Sequence, residues 1–200
     1  MPKIQIPKEK ILQTAFNLLI NEGYGAITIS RLAKELNRST QPISHTFGNM
    51  ENFREEFTVY VMSKFNSRDS ISCDNPFKIF SSVGVRYLKA AFEEPNLIYF
   101  IRQNSRKFVA HGGIGTVFDK SKNRELAKML SSYFGISEEK TGLFMQTAVT
   151  YTQGLVAMIV DGTISISFDE GVRRLEEIGI IFLVYAGIPK DKAEKLCQII

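Results

Sequence analysis

The residues of this chain that could do chemistry concentrate in one short stretch. Residues 38–50 read RSTQPISHTFGNM, which sets hydroxyls at Ser39, Thr40, Ser44 and Thr46 beside the carboxamide of Gln41 and the imidazole of His45. For acid–base catalysis His45 needs a nucleophile or a carboxylate, and neither stands near it in sequence. Cys73 and Cys197 are the only cysteines and His45 and His111 the only histidines, with no pair at metal-ligand spacing, so a structural zinc lacks ligands. The segment GGIGTVF (112–118) carries the G-x-G of a nucleotide loop. Phe118 stands where the third Gly belongs, however, and no βαβ pattern surrounds it, so it reads as a connection. No nucleophile, base or ligand set is left to assemble an enzyme, and no cofactor or metal is expected. The polar groups of 39–46 remain as donors and acceptors for another molecule.

The elements that must hold those groups read as helices. Apolar residues recur at helical spacing from Pro7 to Glu22, through Ile11, Leu12, Ala15, Phe16, Leu18 and Leu19, and Gly23 and Gly25 end the run. Thr28 is an N-cap for a second, short helix bearing Ile29, Leu32, Ala33 and Leu36, which Asn37 stops by taking the left-handed conformation. Ser39 then caps a third helix over 39–46. Thr40, Gln41 and Pro42 become its first three residues, whose N–H groups have no partner inside a helix, so Pro42 deletes no helix bond. The Ser39 hydroxyl is placed to accept from the Gln41 N–H, Ile43 and Phe47 point inward, and Gly48 ends the helix. Asn49 caps a long fourth helix over 49–66.

Further helices are expected over 76–93, 96–104, 119–133, 137–160, 169–185 and 189–198, with 105–116 irregular and no convincing strand. The chain is therefore expected to be all-α. Its 44% apolar and 23% charged residues argue against disorder of the whole. Apolar runs are broken short of the roughly 18–20 residues of a membrane span, and the N-terminus lacks the apolar region of a secretory signal. A cytoplasmic protein with no membrane partner is expected. The net charge is +4. Up to residue 49 there are six basic residues (Lys3, Lys8, Lys10, Arg31, Lys34, Arg38) against three acidic ones, a surplus of three that is most of that excess. A polyanionic partner is permitted, at that end.

Three short helices before a long one form the pattern of a helix-turn-helix, in which the second helix of the pair enters the DNA major groove. Here the sequence resembles the TetR family of bacterial regulators, through ILQTAFNLLINEGY, TISRLAKEL, STQPISHTF and NMENFREEF. The resemblance is specific over about the first 60 residues and implies a DNA-binding domain over 1–50, linked by the helix 49–66 to an effector-binding and dimerisation domain over 51–200. It implies Thr40, Gln41 and His45 at base edges, Pro42 against a thymine methyl, and Thr28, Arg31, Ser39 and Ser44 at phosphates, with Lys3 and Lys8 adding electrostatic affinity. The family usually carries Tyr at the position of Ser44, often His or Tyr at Thr46, and often Lys at Met50, groups that commonly touch phosphate. These departures imply a weaker or rearranged phosphate clamp.

The resemblance implies partners as well: a duplex DNA operator, a second copy of the chain, and a small-molecule effector. The expected effector pocket is lined by Tyr87, Phe100, Arg102, Gln103, Met145 and Tyr151. The helices 137–160 and 169–186 are apolar on more than one face, which suggests a second surface to bury. Leu143, Leu155, Ile159, Leu175, Ile178 and Phe182 are expected in a dimer interface, with Gly154 and Gly179 allowing close helix approach. The reading is a ligand-responsive repressor on a palindromic operator. The alternative is a helical small-molecule- or partner-binding protein that has lost specific DNA binding, suggested by Ser44, Thr46 and Met50.

Overall fold

The computed structural model describes residues 6–67, 74–110, 119 and 123–199. Among them the chain forms eleven α-helices and one 3-10 turn, with no strand. The helices are α1 (Lys8–Glu22), α2 (Ile29–Glu35), α3 (Thr40–Phe47), α4 (Met50–Asn66), α5 (Pro76–Glu93), α6 (Pro95–Gln103), α7 (Ser105–Ala110), α8 (Arg124–Phe134), α9 (Glu138–Val160), α10 (Phe168–Tyr185) and α11 (Lys190–Leu196), with the 3-10 turn at Tyr24–Ala26.

Two expectations fail between α6 and α8. Residues 105–110, expected to be irregular, form α7, and the helix expected from Asp119 begins only at Arg124. The HGGIG and GGIGTVF motifs fall at 111–118, outside the described residues.

The chain divides into two compact units, Met1–Arg68 with Glu94–Gly113, and Asp69–Glu93 with Ile114–Ile200. The first therefore contains α1–α4 and also α6 and α7, although α5 intervenes in sequence. Its core gathers the apolar stripe of α1 (Ile11, Leu12, Ala15, Phe16, Leu18, Leu19), Leu32 and Ala33 of α2, Ile43 and Phe47 of α3, Phe53, Phe57 and Val61 of α4, and Leu97, Ile98, Phe100 and Ile101 of α6. Aromatic rings run through it as a continuous series. Phe47 meets Phe53 edge-on at 5.1 Å, Phe53 stacks on Phe57 at 5.6 Å, Phe57 meets Phe100 at 5.4 Å, and Phe100 meets Tyr24 at 5.0 Å. Asn96 of α6 adds a polar tie, its Nδ2 donating to the Ile20 carbonyl at 3.0 Å. Gly23 ends α1 at φ 85°, and its open side lies against the Asn96 carboxamide, so a side chain there would be strained as well as crowded.

The second unit packs α5, α8, α9, α10 and α11 around Phe77, Leu130, Phe134, Phe144, Met145, Phe182 and Leu183. Along α5, Phe77, Tyr87 and Ala91 are buried, whereas Val83 is exposed. Gly179 and Gly171 allow two tight approaches. A Cβ on Gly179 would stand 3.0 Å from Cys197 Sγ, and one on Gly171 would stand 2.9 Å from Leu88 Cδ2. Gly179, expected to admit a second copy, is thus filled by the chain's own Cys197, whose thiol burial pushes to about 12. The helix α9 reaches the length and mean hydropathy (1.3) of a membrane span, with 33% of that window buried inside the structure. Its apolarity has a local cause, since Phe144, Met145, Leu155 and Val156 are buried.

Because Phe100 is 2% exposed and is a link in the aromatic series, Phe100→Ala should destabilise the first unit by about 3–5 kcal/mol. Urea unfolding followed on that unit checks this, and a loss under 1 kcal/mol would mean the series carries little stability.

Candidate nucleic-acid interface

The turn between α2 and α3 is set by backbone chemistry. Thr28 is extended and its Oγ1 accepts from the Arg31 N–H at 3.1 Å, which starts α2 and leaves the hydroxyl proton free to donate elsewhere. Asn37 takes φ 52°, the one non-Gly residue at positive φ among those described, and the Arg38 N–H closes the turn on the Ala33 carbonyl at 2.9 Å. Ser39 stands at the N-cap of α3 as expected, but its side chain makes no capping bond. A cap oxygen accepts from the second or third helical N–H, and the third residue here is Pro42, which has none. Pro42 thus removes one of the two donors, and the other, the Gln41 N–H expected to bond Ser39, makes no capping bond with it either.

With Ile43 and Phe47 anchored in the core, the rest of α3 faces out. Thr40, Gln41, Ser44 and His45 are exposed, with Pro42 half-buried. Gln41, Ser44 and His45 stand at i, i+3 and i+4 and so share one helical face. This brings an amide, a hydroxyl and an imidazole onto one surface without a carboxylate among them. Such a surface can hydrogen-bond base edges and phosphate oxygens alike.

The charged groups are arranged differently from the sequence expectation. Both terminal nitrogens of Arg31 meet Glu22, at 2.9 and 2.6 Å, and its Nε meets Glu35 at 2.9 Å. Those carboxylates, Glu35 first and then Glu22, hold its pKa further up. Its planar fork is filled, and it joins the end of α1 to α2. Lys8 is paired with Glu56 at 2.8 Å and lies over the Phe47 ring, while Lys3 falls outside the described residues. The Thr46 hydroxyl donates to the Pro42 carbonyl at 2.8 Å, so that proton is not available to an outside acceptor. Asn49 Oδ1 accepts from the Asn52 N–H at 2.8 Å and caps α4. Met50 and Ser44 line one small apolar cleft together with Ile29, Ile43 and Phe53.

Residues 11–57 match the model of a family described as bacterial regulatory proteins, tetR family. That stretch, which runs from α1 into α4, is similar to the tetR family. No curated protein and no solved structure matches it significantly. Transcription regulation through a DNA-binding helix-turn-helix follows from the family, and α2 and α3 are that motif.

The other residues picked from the tetR resemblance are scattered. Phe100, Arg102 and Gln103 lie on α6 in the first unit, and Tyr87, Met145 and Tyr151 lie in the second, so neither unit holds all six. Phe100 is a buried link in the aromatic series and Tyr87 is 2% exposed, which makes both core residues. Of the six interface residues, Leu155, Leu175 and Phe182 are buried within their own unit, Ile159 and Ile178 are half-buried, and Leu143 is 51% exposed. Periodicity alone cannot separate the face of α9 and α10 that packs inside the chain from the one left open. The open one carries Met158, Ile181, Val184 and Tyr185 as well. Arg54 is an exposed cation one turn into α4.

Thr28→Ala should cost about 1 kcal/mol of stability by removing the α2 cap, whereas Thr28→Ser should cost much less. Thermal melts of the two variants against the parent chain check this, and equal losses would show that the hydroxyl does not cap.

Proposed function

We propose that the chain is a repressor that binds a palindromic operator as a homodimer and releases it when a small molecule binds. The observation that carries the reading is the open polar face of α3 on a helix anchored from below by Ile43 and Phe47, within a tetR-family domain. Thr40, Gln41 and His45 address base edges, Gln41 with the bidentate geometry that suits adenine, and Pro42 offers apolar contact to a thymine methyl. Thr28, Ser39 and Ser44 address phosphate oxygens. The free hydroxyl proton of Thr28 and the uncommitted hydroxyl of Ser39 support that assignment. Arg31 positions α2 through its carboxylate partners.

The homodimer is supported by the face that α9 and α10 leave open, where Leu143, Met158, Ile181, Val184 and Tyr185 are 42–83% exposed. On α9 the exposed residues Leu143, Thr150, Gly154 and Met158 follow one helical stripe, and a Cβ at Gly154 would meet nothing within 4 Å. A run of large apolar side chains beside a bare backbone position suits a second copy. The symmetry of such a pair presents two α3 helices to two half-sites about one DNA turn or somewhat more apart.

The effector response is supported by the place of α6. Arg102 and Gln103 stand at its end, and α6 belongs to the recognition unit through Asn96 and Phe100. A small molecule that engages α6 would load α1 and α4 directly and shift the population of α3 orientations.

A gel shift of the full chain on its own promoter region should give specific binding, with Gln41→Ala weakening it by about 1–3 kcal/mol per half-site. Absence of binding above random DNA under every ligand condition would favour the alternative, a helical small-molecule- or partner-binding protein. For the homodimer, sedimentation should give a dimer that Ile181→Asp converts to monomer, and a monomeric parent chain would overturn that part.

A further inference from the structure

We infer that Arg54 is the cation that neutralises operator phosphate beside the recognition helix, taking the part expected of Arg31 and of the missing basic group at Met50. This rests on the DNA-binding reading of the same face.

The first argument is the use already made of the basic groups in the first unit. Lys8 is bound to Glu56, Arg31 to Glu22 and Glu35, Lys64 to Glu9 and Lys107 to Glu55. Each of these paired cations brings its own counter-charge, so docking it on a phosphate means breaking a pair first; Lys10, Lys34, Arg38 and Arg106 make no ion pair among the described residues, but they stand on α1, on α2, in the turn before α3 and on α7 rather than on α4 beside Met50. Of the two basic residues of α4, Lys64 is paired and Arg54 is not: among the described residues no carboxylate lies within ion-pair distance of Arg54. Its neighbour Glu55 is turned to Lys107 at 4.0 Å. The remaining nearby carboxylate, Glu51 in the first turn of α4, makes no ion pair with it. An unpaired arginine keeps its whole fork for a planar bidentate acceptor.

The second argument is position. Residues four apart on a helix lie about 6 Å along the axis and about 40° around it. Helical side chains lean back over the turn N-terminal to their own Cα. Arg54 therefore covers the turn that begins with Met50, and Met50 lines the same cleft as Ser44 of α3 and Ile29 of α2. Arg54 itself is exposed, and it is the first cation along α4 after Met50, which supplies no charge. The N-terminal end of α4 adds a field of the same sign.

The test is the salt dependence of binding of the full chain to its promoter duplex, measured by fluorescence anisotropy between 50 and 200 mM KCl. A phosphate contact contributes about 0.9 to the slope of log K against log salt concentration. Arg54→Gln should flatten the slope by about 0.9 for each protomer bound, Arg54→Lys should keep it, and Arg31→Gln should keep it too. A residue acting only through stability would lower affinity at every salt concentration and leave the slope alone. An unchanged slope in Arg54→Gln, or flattening in Arg31→Gln instead, would overturn the assignment while the parent chain still binds. A parent chain with no salt-dependent binding would sink the DNA reading and this inference together. Arg54 is exposed, so its variants should melt as the parent does, and a melt run beside the titration checks that.

Discussion

The contact between Phe47 and Phe53 is the constraint on which the rest of the recognition surface depends. An isolated helix of eight residues is far too short to persist in water, and α3 has an uncapped start and a Pro at its third position. Its shape is therefore imposed from outside. Ile43 and Phe47 seat it in the core, and Phe53, Phe57, Phe100 and Tyr24 continue the support through α4 and α6 to the 3-10 turn. Apolar burial on the inner side is what lets the outer side be wholly polar. Thr40, Gln41, Ser44 and His45 can face water because they hold nothing up.

Charge is handled with equal economy around that surface. Ion pairs occupy Lys8, Arg31, Lys64 and Lys107, so the domain carries less free positive charge than its sequence suggests. Exposed pairs of this kind add little stability, but they fix geometry: Arg31 joins the end of α1 to α2, and Lys8 joins the start of α1 to α4. The face left over presents mainly hydroxyls, an amide and an imidazole.

The local grammar of this region was legible in the sequence because each signal has a single short-range cause. The Thr28 cap, the left-handed Asn37, the Gly48 stop and the Asn49 cap depend on a few adjacent residues, and all stand where the residue types place them. The Ser39 cap bond to the Gln41 N–H is the exception: Ser39 holds the cap position, but its side chain makes no bond there. Long-range facts were out of reach. Nothing in the order of residues says that α6 joins the first unit across an intervening α5, so Phe100 read as a pocket residue when it is core. Nothing in the spacing of α9 and α10 says which apolar stripe is satisfied at home, so Leu155, Leu175 and Phe182 were placed outward. Arg31 looked like a free cation because its partner Glu22 stands nine positions away on another helix.

The central claim is that α3 has no stability of its own and stands or falls with α4 and α6. Native-state hydrogen exchange of the free chain measures this directly, through the opening free energies of amides in the three helices. The account predicts one shared value for α3, α4 and α6, lowered in all three by Phe57→Ala. Exchange of α3 at a separate, lower free energy that Phe57→Ala leaves untouched would contradict it.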